Sequence, residues 1–325
     1  MSNPRVLCLG EILYDMLADQ LGRTLGEVES WSSYPGGAPA NVACALVKLG
    51  TTSAFIGAVG ADEAGNNLQA LLQEIGVDTT GVQRHPQAPT RQVLVTRKLN
   101  GDRVFAGFKD YDTSEFADTR LKAGELPEEL FAAADLLVLG TLELAYPESG
   151  AAVHRALELA SQYDVKILLD VNWRDVFWTN PDAAPDTIRE LIKKVDFLKL
   201  TKEEAELLFD THDAGAITYR LNSVEGVLLT DGDKGCAYCL GENEDRLPAF
   251  SVPVVDTTGA GDSFVAGFVH QLLNYGVQNL RDAEVVKRII AYASAAGALT
   301  TLKPGAIASQ PTAEEVESFL VEHSI

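Results

Sequence analysis

The chain has 325 residues, 46% of them hydrophobic, enough to bury a large core as one domain or one domain with a small annex. Its 26 Lys and Arg stand against 47 Asp and Glu, a formal charge of −21 with no basic tail or block, which argues against a nucleic-acid footprint and against an anionic-membrane surface. No apolar run approaches the ~20 residues of a membrane span, the opening Met-Ser-Asn-Pro-Arg lacks a signal-peptide pattern, and four scattered cysteines do not make a disulfide scaffold, so a cytoplasmic protein is expected.

Val6 to Gly10 reads as a short apolar strand, followed by Gly10-Glu-Ile-Leu-Tyr-Asp15. An acid just past the end of a parallel strand is where open α/β sheets place ligand contacts. Between Ala18 and Tyr34 the pattern weakens to loop and edge strand. Pro35-Gly36-Gly37-Ala-Pro39-Ala-Asn41 then leads into a helical run, Val42 to Leu49, with Gly50 as its stop. The glycine pair allows close backbone approach, and the Asn41 amide can donate and accept as a sugar hydroxyl requires; a structural Asn is the alternative. Ser53 to Val59 reads as a strand and Glu63 to Ile75 as a helix ended by Gly76. Arg91–Leu99 and Arg103–Phe108 alternate and are joined by Asn100-Gly101-Asp102, a hairpin signal. A hairpin inside a parallel series suggests an inserted lid.

From Ala134 strands alternate with helices. Strands are predicted at Leu136–Gly140, Lys166–Val171, Phe197–Leu200, Gly226–Thr230 and Gly235–Leu240. Helices are predicted at Glu148–Gln162, Asp186–Lys194, Glu203–Phe209, Ala260–Tyr275, Ala283–Leu302 and Ala313–Glu322. Repeated β-α-β means a mainly parallel sheet covered on both faces. Asp170-Val-Asn172-Trp-Arg174 follows one strand, so Asn172 and Arg174 are expected at the ligand crevice. Cys236-Ala-Tyr-Cys239 has no second pair, and strand alternation sends the two thiols to opposite faces, so they read as core rather than metal ligands.

Asp256-Thr-Thr258-Gly259-Ala260-Gly261-Asp262 lies between a strand-like run, Phe250 to Val255, and a helix. Backbone amides at such a turn, with the helix dipole behind them, make an anion site. An acid inside it, Asp262, suggests chemistry on a phosphate, with the amides holding the transferring group and the acid taking a proton. The alternative is that Asp262 only complements the dipole, worth roughly 0.3–1 kcal/mol. There is no Walker loop, no early G-x-G-x-x-G, no G-x-S-x-G elbow and no H-E-x-x-H. Phe264 stands where a dinucleotide fingerprint needs its third glycine, which disfavours an NAD-dependent oxidoreductase.

Gly36-Gly-Ala-Pro-Ala-Asn41 and Asp256-Thr-Thr-Gly-Ala-Gly-Asp262, in that order and widely separated, resemble the paired signatures of the PfkB family, the ribokinase-like sugar kinases. The Gly10-Glu…Asp15 opening and the Gly305-Ala306…Pro311-Thr312 close are similar to the same family, so the resemblance spans nearly the whole chain. It implies a three-layer α/β/α fold with a mainly parallel central sheet and a small β-sheet lid formed by about residues 12–34 and 90–112 of a single domain, residues 1–325. It also implies transfer of the γ-phosphoryl group of Mg-ATP to a primary hydroxyl of a sugar. Asp262 would be the base; Gly259, Ala260 and Gly261 would form the anion hole; Asp15, Gly36, Gly37, Asn41 and Asn172 would bind the sugar; and Arg174 would reach a phosphate. Thr230-Asp-Gly232-Asp-Lys-Gly235 is similar to the nucleotide-side turn, with Gly259 and Gly261 also on the nucleotide. Asp256 and Thr258 match positions near a potassium site of relatives.

Two departures stand out. The family's N-x-x-E magnesium motif is Thr201-Lys-Glu-Glu204 here, in which Glu204 would hold Mg2+ through water. The aromatic-Arg pair after the lid hairpin is Phe108-Lys109, and a lysine lacks the bidentate fork. The Asp170…Arg174 run with Trp178 resembles fructokinases, which implies fructose as substrate and a homodimer through the lid. Ribose, 2-keto-3-deoxygluconate, and a non-catalytic sugar- or nucleotide-binding regulator are the alternatives.

Overall fold

Alternation along the strands sorts the apolar side chains into two buried layers. Val6, Cys8, Phe55, Val138, Leu168 and Leu228 point to one, and Leu7, Leu9, Ile56, Leu139, Leu169 and Leu229 to the other. A strand buried on both faces needs a continuous apolar run, which is why these segments read as Val/Leu/Ile strings. Cys236 and Cys239 fall in opposite layers, as expected for residues three apart on a strand.

The computed structural model describes residues 3–99 and 103–323. In chain order its elements begin with β1 (Val6–Leu9), β2 (Leu13–Leu21), β3 (Trp31–Gly36), α1 (Ala38–Lys48), β4 (Ser53–Gly60), α2 (Glu63–Ile75), β5 (Asp78–His85), β6 (Gln92–Arg97) and β7 (Arg103–Phe108). The middle holds α3 (Glu128–Phe131), β8 (Leu136–Leu139), α4 (Pro147–Gln162), β9 (Lys166–Asp170), α5 (Ala184–Ile192), β10 (Phe197–Thr201), α6 (Lys202–Phe209) and α7 (Ala214–Leu221). It closes with β11 (Gly226–Thr230), β12 (Cys236–Leu240), β13 (Asn243–Leu247), α8 (Ala260–Tyr275), α9 (Ala283–Thr300) and α10 (Ala313–Glu322).

A nine-stranded sheet runs β13-β12-β11-β10-β9-β8-β1-β4-β5, its pairings parallel except for the antiparallel pairs β11–β12 and β12–β13. Helices α1, α2, α8, α9 and α10 supply one layer, and α3 to α7 the other. After β1 the chain builds β4 and β5 on one side; it returns with β8 on the other side of β1. The crevice at such a reversal, beyond the strands' carboxyl ends, is where this architecture binds ligands. Helices α8 and α9 lie close because Gly267 faces Ala293: a Cβ at Gly267 would come within 2.9 Å of the Ala293 Cα, and overpacking there would cost about 1–3 kcal/mol.

The second sheet, β3-β2-β6-β7, is the lid. Its strands β6 and β7 pair antiparallel as the hairpin signal predicts, while the turn Asn100-Gly101-Asp102 lies outside the described residues. Arg91 pins its base: fully buried, it donates to Asp118 (Nε–Oδ2 2.5 Å) and to Thr113, with the Phe116 ring centre 4.6 Å from its guanidinium carbon.

Several segments differ from the sequence reading, α3 and α7 among them, which it did not mark. The run from Phe250 to Val255 is not a strand, because β13 takes the sheet edge and Pro253 offers no amide for a ladder. The polar strands β5 and β13 escape prediction because they are a partly exposed and an edge strand without an apolar run. Within Ala18 to Tyr34, read as loop and edge strand, β2 runs on to Leu21 and β3 starts at Trp31, with β3 and β6 as the neighbours that pair β2.

Candidate active site

A cavity of about 1120 Å³ opens at the carboxyl ends of the sheet and beneath the lid. Glu11, Gly140, Thr141, Asn172, Thr201 and Thr230 reach it from the ends of β1, β8, β9, β10 and β11. Asp15, Gly37, Asn41, Arg174, Gly232, Gly235, Thr258, Gly259, Ala260, Gly261 and Asp262 also line it, so the sequence-derived residues converge from across the chain. Three do not line it: Gly36, which ends β3, Glu204 and Asp256.

Helix α1 starts at Gly37, whose φ of 105° a side chain would rarely adopt and whose missing Cβ leaves room for the Glu11 carbonyl. The Glu11 carboxylate accepts from the first helical amide, Ala38 N, at 2.8 Å. Asn41, one turn in, donates through Nδ2 to Asp262 Oδ2 at 2.7 Å. Its other amide atom, Oδ1, is buried with no partner among the described residues. An acceptor left open in this way costs ~1–3 kcal/mol unless a ligand donor meets it.

Helix α8 starts at Gly259, φ 79°, packed on Ala306. The Ala260 amide is used within the turn, donating to the Thr257 carbonyl at 3.2 Å. The amides of Gly259 and Gly261 meet no backbone acceptor among the described residues, so these two are open to an acceptor from the cavity. Asp262 sits in this first turn, and burial, reinforced by the charge of Asp170, raises its carboxyl to about 6 against the pull of Asn41, Lys199 and Arg174. Burial likewise raises Asp15 to about 6 and Glu11 to about 7.

Lys199 was not singled out from the sequence. It is buried on β10, and its Nζ donates to Asp170 Oδ1 (2.9 Å) and Oδ2 (3.1 Å) on the adjacent strand, where the two residues are register partners. A Cβ at Gly261 would be 3.5 Å from that Nζ, so the ammonium lies beneath the first turn of α8. Burial works against its charge, but Asp170, Glu204 and Asp262 outweigh it and hold the amine above its ordinary value. The available signal was a lysine inside the run Phe197-Leu-Lys-Leu200: a charge in a doubly covered strand needs a partner.

Glu204 forms a capping box with Thr201: Thr201 accepts from the Glu204 amide, and Glu204 accepts from the Thr201 amide at 2.7 Å and the Trp173 amide at 2.9 Å. Thr serves an N-cap much as Asn does, which accounts for the Thr201 departure. Glu204 does not line the cavity and each of its oxygens accepts one backbone amide, so it would meet a magnesium ion only through water. Thr201 lines the cavity, and the ion's ligands there would be phosphate oxygens and water. At Asp256, Oδ1 accepts from Thr258 N and Oγ1, and Oδ2 from Gly305 N and Arg103 Nη2.

The PfkB family carbohydrate kinase model matches residues 3–313. The chain belongs to the PfkB family. It is 34% identical to probable fructokinase-5 of Arabidopsis thaliana, over 99% of each chain. Among solved structures it resembles a Xylella fastidiosa fructokinase with bound ATP (TM-score 0.89, 28% identity, 98% of this chain and 99% of that one). It also resembles an Escherichia coli protein described as a ribokinase II candidate, in complex with ATP and Mg2+ (0.87, 25%, 98% and 100%). A third is a double mutant of a Vibrio cholerae fructokinase in fructose-, ADP- and potassium-bound form (0.83, 26%, 98% and 99%). The protein is therefore a carbohydrate kinase of ribokinase-like fold.

Proposed function

We propose that this kinase is a fructokinase, moving the γ-phosphoryl group of Mg-ATP to the primary hydroxyl of fructose to give fructose 6-phosphate and ADP. The observation that carries the chemistry is the Asn41–Asp262 hydrogen bond of 2.7 Å, which joins residues 221 positions apart beneath the open amides of α8. A neighbouring sugar hydroxyl donating to Asn41 Oδ1 would set the primary hydroxyl against the Asp262 carboxylate, to which it donates. As the hydroxyl oxygen bonds to phosphorus, its proton passes to Asp262, and the β–γ bridging oxygen leaves with ADP. The Gly259 and Gly261 amides and the Lys199 ammonium face the charge that develops on the phosphoryl oxygens. Arg174 lines the same cavity, on the segment that Glu204 holds at Trp173. Magnesium, bound with the nucleotide, would offset its phosphate charge.

Fructose is favoured by the relatives named fructokinase and by the Asp170…Arg174 run. The E. coli neighbour and Lys109 favour another sugar as the second reading, ribose or 2-keto-3-deoxygluconate. The test is ADP release with a panel of fructose, ribose, glucose, adenosine and 2-keto-3-deoxygluconate. A tenfold or greater preference for any other substrate overturns fructose while leaving the kinase; ligand binding without ADP release would point to a regulator. A potassium ion at the Asp256–Thr258 loop would take backbone carbonyls, because all four lone-pair sites of Asp256 already accept. The lid leaves apolar side chains exposed, among them Leu21 at 44% and Val104 at 37%, which supports dimerisation through the lid, to be checked by sedimentation velocity. No helix among the described residues is long and apolar enough to cross a membrane.

A further inference from the structure

Arg103 is a lid residue that reaches into the main domain. It stands at the start of β7, lines the cavity with Asp15, and donates from Nη2 to Asp256 Oδ2 at 2.7 Å. Its charge is also felt by Asp15, on β2 of the same lid. One guanidinium therefore spans the sugar side of the cavity and the loop that leads into α8.

Asp256 is the hub of that loop. Its Oδ1 accepts from Thr258 N (3.1 Å) and Thr258 Oγ1 (2.7 Å), which folds the loop back on itself one residue before Gly259. Its Oδ2 accepts from Gly305 N (2.9 Å), and Gly305 precedes Ala306, the residue on which Gly259 packs. A carboxylate has about four lone-pair sites, so four donors saturate it. Three of them belong to the main domain, and the fourth, Arg103, belongs to the lid. Without Arg103, Asp256 loses its one charged partner among the described residues, and the backbone from Asp256 to Gly261 loses its tie to the lid.

We infer that Arg103 is a positioning residue, a latch through which the lid, seated over the sugar, holds the Asp256–Gly261 loop with the Gly259 and Gly261 amides open to the cavity. The latch acts on the phosphoryl site through Asp256 and Thr258, not by touching the reacting atoms. It rests on the kinase reading above for its rate consequences, while its structural consequence does not depend on any activity. Charge is what the latch needs, and a lysine supplies it without the planar fork.

The test has two arms on the full chain. In the first, amide hydrogen exchange is followed in the unliganded protein and in Arg103→Ala. The latch requires at least threefold faster exchange at residues 257–261 in the variant, with the exchange of β8 and β9 unchanged. Equal exchange at 257–261 overturns it, whatever the protein's activity. In the second arm, kcat and both KM values are measured for Arg103→Ala, Arg103→Lys, Asp256→Asn and the Arg103→Ala/Asp256→Asn pair. Arg103→Ala is expected to lower kcat about tenfold with the ATP KM within threefold, Arg103→Lys to recover part of that loss, and the double variant to be no worse than the poorer single one. If the two losses multiply, or if Arg103→Ala changes only the sugar KM, Arg103 contacts the substrate directly and the latch is wrong. Should Asp256→Asn fold poorly, Arg103→Lys against Arg103→Ala still decides. An absence of kinase activity in the wild type would sink the proposed function and leave the exchange arm standing.

Discussion

The two glycine-rich turns look alike and are used in opposite ways. Each ends in a left-handed glycine at the N-cap, Gly37 with φ 105° and Gly259 with φ 79°, with no side-chain cap hydrogen bond, and each carries its polar residue in the first turns of the helix. At α1 the Glu11 carboxylate already accepts from the Ala38 amide, so the dipole of that helix is met from within the protein. At α8 the amides of Gly259 and Gly261 are left facing the cavity, with Lys199 beneath them. An internally neutralised helix end suits an uncharged sugar, and an open one suits a phosphate. A glycine turn by itself therefore does not say what it binds; the nearest charged side chain decides.

The most damaging way to break this pairing is Asp262→Asn, which keeps the shape and removes the proton acceptor. It should lower kcat by ~10²–10⁴-fold with little change in nucleotide affinity. Its melting temperature should be no lower than wild type at pH 7, and the sign follows from the pKa. An acid raised from 3.8 to about 6 on folding holds its proton more tightly in the folded state, so its stabilising contribution is present below about pH 4 and is lost as pH rises through about 6. At neutral pH the buried charge is a burden that Asn removes. The same pKa predicts that kcat/KM falls on the acid side of about pH 6 in the wild type. A folded Asp262→Asn protein retaining a tenth of wild-type turnover would place the base elsewhere.

Gly259→Ala tests the open end alone. A Cβ there would lie 2.8 Å from the Ala306 Cβ, at a φ that alanine resists, so the amides must move. Loss of one oxyanion-type donor costs ~10²–10³-fold, and a partial shift should lower kcat by about ten- to a hundredfold while leaving the sugar KM alone. An unchanged kcat in a folded variant would show that the phosphoryl group is held by other donors. Asn41→Ala addresses the neutral end. Removing a neutral hydrogen bond to a sugar hydroxyl, worth roughly 0.5–1.5 kcal/mol, should raise the sugar KM about two- to tenfold and lower kcat by less. Equal losses in kcat and kcat/KM would instead make Asn41 a transition-state contact.

The smallest effect is expected at Glu11, and it sharpens the contrast most. Glu11→Ala removes an N-terminal partner worth about 0.5–2 kcal/mol, read as a lower thermal midpoint, while the nucleotide KM stays constant. Glu11→Gln, which can still accept from Ala38, should be close to wild type, the more so because burial already raises the Glu11 carboxyl to about 7. A tenfold change in nucleotide KM for Glu11→Ala would erase the distinction between the two helix ends.

The sequence by itself determined the layered α/β fold, the lid hairpin and most of the cavity wall, because each rests on local rules. Doubly buried strands must be apolar, helices need caps and stops, and an anion site needs a glycine turn ahead of a helix. It also determined that Asp262 and Asn41 were chemical candidates. Only the tertiary structure decided that they touch each other, that Lys199 lies under Gly261 with Asp170 as its partner, and that Glu204 spends its oxygens on backbone amides. It also decided that the run from Phe250 to Val255 stays unpaired and that Arg103 crosses from the lid to Asp256. These facts depend on which strands become neighbours and on what a buried charge finds beside it, and a cross-strand or cross-domain partner leaves no spacing in the chain from which to read it.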